Sequence, residues 1–368
     1  MSRRPLRIAA HNGALIYGGG EKWTVLLLRG LQDRGHTVHL FCNSRDVGAA
    51  ARREGVTASL GLLGGQLMLP HALRFSRQIR RFAPDALVLA TFKKVWLGAL
   101  AGRLARVPQV VSRIGLDTDL PRRHWTYRLA YRRWVDRVLV NADGIRRDFV
   151  RDLPGYDPAR VSTVYDGVSV SDAARGDAGA ARDALGLPRG VPLVGSVTRL
   201  DTQKRIDRLL EAAVHLPHAH VALAGEGPLE ADLRAQADRL GISDRIHFLG
   251  YRTDVGAVLA SIDVFVLTSD KEGMANAMLE ALAAGVPVVS TPVSGATEAL
   301  EPDGRGAAPG LVVEPHPGKI AEALGALLDQ ADSRDAMGRE GRKRARERFS
   351  YESMLDAWEA ALSPSPVG

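Results

Sequence analysis

The chain has 368 residues, of which 45% are hydrophobic, 25% charged and only 5% aromatic, a composition that excludes disordered, collagenous and coiled-coil proteins. A single cysteine, Cys42, leaves no intramolecular disulfide and no thiol-rich zinc site, so a reducing, cytoplasmic setting is expected. Residues 1–180 carry 29 Lys+Arg against 15 Asp+Glu, a net of +14; the remainder is −7, giving +7 overall. A basic first half suits an anionic partner such as nucleic acid, an acidic membrane surface or a phosphorylated acceptor, although arginine-rich coding bias that merely solvates helices is the plainer account.

The start, Met1-Ser-Arg-Arg-Pro-Leu-Arg, has the basic character of a signal peptide, but the apolar run behind it breaks at His11-Asn12 and reads as a first strand. Short β-branched runs then alternate with helical stretches, the pattern of parallel strands joined by crossover helices. Strands are predicted over 6–10, 37–42, 85–89, 109–112 and 137–141, with a helix over 21–34 that stops at Gly35 as a C-terminal cap. The apolar stretch 87–101 is interrupted by Lys93-Lys94, and nothing reaches the ~18 apolar residues of a membrane span. The segment 169–190, rich in Ala, Gly, Asp and Arg, reads as a domain connection.

The rhythm then restarts, with strands over 192–197, 220–224, 246–249, 264–268, 287–290 and 311–313, and helices over 204–215, 228–240, 253–261 and 272–284. The tail 319–362 reads as three helices without a further strand. The fold expected is α/β, with two doubly wound Rossmann-like domains facing a central cleft: 1–168 plus 350–368, and 169–349. Such sheets bind ligands beyond the carboxyl ends of their strands, so the cleft is the default site.

Chemistry concentrates in the second half. Arg199 and Lys204 fall just past a strand and at the start of the next helix, where two cations and the helix amides can grip a diphosphate. At an effective dielectric of 20 each charge pair at ~4 Å is of the order of 4 kcal/mol before desolvation. Glu272 and Glu280, placed on one helix, differ by about 80° and ~12 Å and can address the two ends of one elongated ligand through vicinal hydroxyls. Either pair taken singly also reads as a solvated helix surface.

Several motifs occur in order: Gly18-Gly19-Gly20-Glu21, Arg34-Gly35-His36, Arg199 with Lys204, Gly225-Glu226-Gly227-Pro228, and Glu272 to Glu280 followed by Gly285-Val286-Pro287-Val288. Together they resemble the retaining GT-B glycosyltransferases of family 4, the group 1 type. The resemblance implies an N-terminal acceptor-binding and a C-terminal donor-binding domain. It gives Arg199 and Lys204 the donor pyrophosphate, Glu280 the ribose and Glu272 the donor sugar, with Gly273, Met274, Ala275 and Asn276 offering backbone amides. Tyr251 and Arg252 would bracket the nucleobase. Gly18, Gly19 and Gly20 would let backbone approach phosphate and acceptor, with Glu21 beside them. Many relatives carry a histidine where this chain reads Arg113, which cannot serve as a base but can hold a phosphate or an anionic acceptor group. His11 and His124 are substitutes for the histidine, against the commoner structural role of a lone histidine.

Asp117-Thr118-Asp119 is a D-x-D triplet, discounted as a metal site because two carboxylates underfill an octahedron. No metal and no cofactor beyond the nucleotide sugar is therefore expected. Gly225-Glu226-Gly227 supplies two of the three glycines of a dinucleotide fingerprint. The stretch 122–134 interleaves aromatics with arginines, which suits base stacking, an interfacial amphipathic helix, or a solvated helix with a buried aromatic stripe; the last asks for least. The resulting expectation is transfer of a hexose-type residue from a nucleoside diphosphate sugar, UDP before GDP, to a cell-envelope glycan or lipid-linked acceptor. The enzyme would be cytoplasmic or peripheral at the inner membrane face. The rivals are a nucleotide-sugar epimerase and a basic nucleic-acid-binding protein.

Overall fold

The computed structural model describes residues 4–15, 18–61, 68–91, 95–116, 124–170, 177–302 and 307–363. The chain divides into two compact units, Met1–Tyr165 with Met354–Gly368, and Asp166–Ser353.

The first unit is built on seven parallel strands: β1 (Arg7–Asn12), β2 (Thr37–Cys42), β3 (Ala58–Leu60), β4 (Ala86–Leu89), β5 (Gln109–Ile114), β6 (Arg137–Val140) and β7 (Val161–Thr163), in the order β3-β2-β1-β4-β5-β6-β7. Every residue of β4 is buried, as a central parallel strand covered on both faces requires. His11 and Asn12 continue β1 and are buried, so the break in the apolar run does not end the strand. The edge strands β3 and β7 were not expected. Each has three residues, Ala-Ser-Leu and Val-Ser-Thr, and becomes a strand only by pairing with a longer neighbour.

Among the described residues six helices connect these strands: α1 (Gly19–Asp33), α2 (Arg45–Arg53), α3 (Met68–Phe82), α4 (Val95–Leu104), α5 (Trp125–Arg133) and α6 (Asp143–Asp152). Helix α1 ends as expected at Gly35, whose φ is +90°. The His36 amide reaches Leu31 O and the Gly35 amide reaches Gln32 O, which completes a Schellman turn. Along α5 and its C-cap the aromatic stripe is Tyr127, Tyr131 and Trp134, packed on the core beside Phe149, while Trp125 stays 69% exposed.

The second unit holds six parallel strands: β8 (Leu193–Val197), β9 (His220–Ala224), β10 (Ile246–Gly250), β11 (Val264–Leu267), β12 (Val288–Ser290) and β13 (Gly310–Val312), ordered β10-β9-β8-β11-β12-β13. Its helices are α7 (Ala178–Ala184), α8 (Ile206–Val214), α9 (Glu230–Leu240), α10 (Val255–Ser261), α11 (Asn276–Ala284), α12 (Ser294–Leu300), α13 (Pro317–Asp329) and α14 (Ala331–Arg348). The strands fall where the apolar runs put them.

Four helices start two to four residues later than expected, and in each case the displaced residues form a loop at the carboxyl end of a strand. For α8 the reason is Arg205, held left-handed at φ +52°. For α11 it is Gly295, whose amide binds Gly273 O at 3.0 Å and fixes the segment ahead of the helix.

The last helix, α15 (Tyr351–Leu362), belongs to the first unit from Met354 onward. Its Trp358 is 1% exposed and packs against Trp23 of α1 with ring centroids 5.5 Å apart and the planes tilted by 54°. Arg34 binds Asp356 and Glu359 at 2.7 and 3.2 Å, and His36 spans Leu6 N and Glu359 at 3.0 Å each. The Arg34-Gly35-His36 motif therefore caps α1 and clasps the C-terminal helix.

Candidate active site

The order of each sheet reverses once, between β1 and β4 and between β8 and β11, where successive loops diverge and leave a crevice. In the second unit the loop 198–205 after β8 and the loop 268–275 after β11 meet at that point. They are stitched together by Gln203 Nε2 to Lys271 O (2.7 Å), Asp270 N to Gln203 O (3.0 Å) and Thr268 Oγ1 to Lys204 O (2.9 Å). Arg205 and Arg208 both grip Asp270, at 3.1 and 2.9 Å. Burial works against the charge of Asp270, but the guanidiniums of Arg208 and Arg205 outweigh it and hold the carboxyl below its ordinary value.

On this frame Lys204 Nζ pairs with Glu272 Oε1, and Ser269 Oγ donates to the same oxygen at 3.0 Å. The two side chains are 20% and 11% exposed, so the pair is largely withdrawn from solvent, in the loops that follow β8 and β11. Glu272 is a loop residue ahead of α11. The helical geometry expected between Glu272 and Glu280 is therefore wrong: Glu280 lies in the second turn of α11, and Glu272 reaches the site from the loop before it. Lys204 likewise precedes its helix. Gly273 has no side chain and Met274 is buried, so these two residues offer a ligand no polar side chain. The N-cap of α11 is Ala275, which has no side-chain oxygen to occupy the first-turn amides.

Arg199 lies in the same β8 loop, 62% exposed and 3.5 Å from Asp201. The glycines of the 225–228 motif fix that loop. A Cβ on Gly225, whose φ is +139°, would lie 1.8 Å from Thr198 O, and one on Gly227 would lie 2.3 Å from Leu200 O. Only bare backbone fits there, and Thr198 N to Ala224 O (2.9 Å) and Leu200 N to Glu226 O (3.0 Å) tie the crossing. The motif reads as packing, not as a dinucleotide fingerprint. Tyr251 (67% exposed) and Arg252, forked on Asp254 at 2.8 and 2.6 Å, follow β10 at the sheet edge, two strands from β8. Glu226 accepts the Tyr251 amide at 3.3 Å and links the two loops. The residue sequence reasoning missed is Gly295, because its partners Gly273 and Met274 stand more than twenty positions earlier in the chain.

In the first unit Gly18 is extended (φ −145°) and its amide donates to Glu21 Oε2 at 3.0 Å, which caps α1. A Cβ on Gly20 would meet nothing within 4 Å, so the protein's own packing does not demand glycine there. Arg113 is the penultimate residue of β5, buried, with its guanidinium 3.6 Å from the Trp23 ring centroid. His11 is buried against Phe75, and burial, opposed by a hydrogen bond to Asn43, lowers it to about 4. His124 is the exposed N-cap of α5. The Asp117–Asp119 triplet lies outside the described residues. Among those described, no three metal-ligating side chains cluster, and no helix is long and apolar enough to cross a membrane.

Twin doubly wound parallel sheets with a cation–carboxylate pair at the second switch point define a GT-B glycosyltransferase architecture. Residues 177–344 match the family model for glycosyl transferases group 1, and residues 17–172 match that for glycosyltransferase family 4. The chain is 30% identical over 95% of its length, and 97% of the relative's, to the lipopolysaccharide core biosynthesis glycosyltransferase LpsE of Rhizobium meliloti (strain 1021). It is 35% identical over 61% of its length to the D-inositol 3-phosphate glycosyltransferase of Mycobacterium tuberculosis (strain ATCC 25177 / H37Ra), of which the match covers 47%. The crystal structure of Anabaena Alr3699/HepE in complex with UDP and glucose superposes with a TM-score of 0.84 at 20% identity, covering 97% of this chain and 99% of that one. The chain belongs to the group 1, family 4 glycosyltransferases and is an enzyme of that class.

Proposed function

We propose that the enzyme transfers a hexose-type residue from UDP-sugar to a cell-envelope glycan or lipid-linked acceptor, with retention of anomeric configuration and without an essential metal or a cofactor. The observation that carries this reading is the Lys204–Glu272 pair, braced by Ser269 at the switch point of the second sheet. Lys204 supplies a fixed positive charge for the departing diphosphate, and Arg199, on the adjacent exposed loop, adds a second. Such pre-set charge acts where negative charge develops and needs no reorganisation during the reaction. Glu272 accepts hydroxyls of the donor sugar, Glu280 those of the ribose, and the amides at 273–276 complete the cradle. Tyr251 and Arg252 flank the base.

Charge separation at the anomeric carbon gives an oxocarbenium-like transition state. The leaving phosphate takes the acceptor proton on the same face, so no protein carboxylate attacks the sugar. Arg113, in the first unit with Gly18 to Gly20 and Glu21, receives an anionic group of the acceptor. LpsE, a lipopolysaccharide core biosynthesis glycosyltransferase, supports the acceptor class, and the UDP and glucose in the HepE crystal structure support the donor. The expected location is cytoplasmic, against the inner membrane face.

A thermal-shift panel of nucleoside diphosphates and their sugars tests the reading. UDP and a UDP-sugar should raise the melting midpoint, since a ligand at 100 times its Kd adds about 2.7 kcal/mol. An envelope-type acceptor should speed donor consumption. A protein indifferent to every nucleoside diphosphate would refute the assignment.

A further inference from the structure

Among the described residues ten large hydrophobic side chains are exposed, and eight belong to the first unit, the half that also carries the positive charge. Helices α3, α4 and α5 pack side by side in that order. As crossovers of a parallel sheet they all run against the strands, so their N-terminal halves lie toward the carboxyl ends of the strands.

The same line recurs on the two outer helices. On α3 it is Leu69 (62% exposed), Leu73 (43%), Arg77 and Arg81, each four residues apart; on α5 it is Trp125 (69%), Leu129 (37%) and Arg133. Residues four apart share a helix face, so each helix presents an apolar tip with arginines one to two turns behind it. Between them α4 turns Trp96 and Leu100 partly outward at the same level. The three helices hold eight arginines and no Asp or Glu. Coding bias toward arginine does not clear acids from three neighbouring helices while leaving them elsewhere in the same unit. Nor does solubility account for apolar tips repeated on neighbouring helices.

We infer that this three-helix surface docks on an anionic lipid bilayer, with Leu69, Leu73, Trp125 and Leu129 entering the interface and Arg77, Arg81 and Arg133 meeting headgroup phosphates. Each arginine lies ~6–18 Å behind the apolar residues of its own helix along the axis, so the charges follow the tips rather than interrupt them. Trp125 suits the interface because its ring is both apolar and hydrogen-bonding. Nucleic acid would use the arginines but leave the leucine pairs uncovered.

Flotation of the full chain with vesicles tests this. Wild type should float with phosphatidylcholine vesicles containing 30% phosphatidylglycerol and remain behind with phosphatidylcholine alone, and salt should weaken the binding. Replacing Leu73→Ser with Trp125→Ser should lower the partition coefficient at least tenfold. Arg77→Gln with Arg133→Gln should lower it about 25-fold, roughly fivefold for each arginine. All four residues are exposed, so melting midpoints and stabilisation by UDP should match wild type, and that match shows that the variants fold. Equal flotation with both vesicle types would overturn the inference, as would unchanged partition of both variants, a dimer that the variants dissociate, or tighter capture by an oligonucleotide than by the vesicles. The assay contains no nucleotide sugar, so its failure leaves the donor-site reading standing, and the converse also holds.

Discussion

Substituting Gly225→Ala probes the backbone crossing that holds the Arg199 loop. Real Cβ contacts essentially never fall below 3.0 Å, and the added carbon would start 1.8 Å from Thr198 O, so one loop must move by about 1.2 Å. The φ of +139° adds about 1–3 kcal/mol of backbone strain for a residue with a side chain. Together these amount to about 2–4 kcal/mol, which in a unit of this size lowers the melting midpoint by about 4–16 °C. A displacement near 1 Å at a positioning loop costs about 100-fold in turnover. The informative comparison is Gly20→Ala, equally prominent in sequence but with open space around it. Paired melting curves and initial rates should show Gly225→Ala losing both stability and turnover and Gly20→Ala losing no stability. Melting curves that do not separate the two variants would refute the packing account of the 225–228 glycines.

Glu272→Gln keeps the shape but removes the charge facing Lys204, and turnover should fall about 100- to 1000-fold while UDP still stabilises the protein; unchanged turnover removes Glu272 from the site. Lys204→Met should match it in rate and also weaken UDP stabilisation, read in the same thermal-shift assay. Burial holds His11 near 4, below its ordinary 6.5, so the unfolded chain binds the extra proton first. Its contribution to stability is complete above pH 6.5 and is lost as pH falls toward 4, up to about 3 kcal/mol; His11→Phe should flatten the stability profile across that window in denaturant titrations. Arg113→Lys keeps the charge but forfeits the planar stack on Trp23, and should raise KM for an anionic acceptor while leaving donor hydrolysis unchanged.

The strand–helix alternation was legible because each central strand is a short apolar run with helical stretches between. The edges of the first sheet were not: Ala58–Leu60 and Val161–Thr163 carry no run of their own and owe their state to a neighbour. Residue types at the site were legible, and several of their placements were not. The sequence from Glu272 to Ala284 has helical composition throughout, yet Gly295 reaches back to hold Gly273 and delays the helix to Asn276. Motif glycines look alike on paper; Gly225 and Gly227 are fixed by protein backbone, while Gly20 faces open space. Arg34-Gly35-His36 shows the converse, a motif whose work is to clasp a helix more than three hundred positions downstream.

That clasp has a consequence for biosynthesis. The first unit takes its closing helix, with Trp358 in its interior, from the far end of the chain, so the ribosome must finish the entire second unit before the first can be completed. Until then Trp23 and the Arg34–His36 corner wait without their mate. A premature stop near residue 350 would spare the unit just made and cripple the one made first.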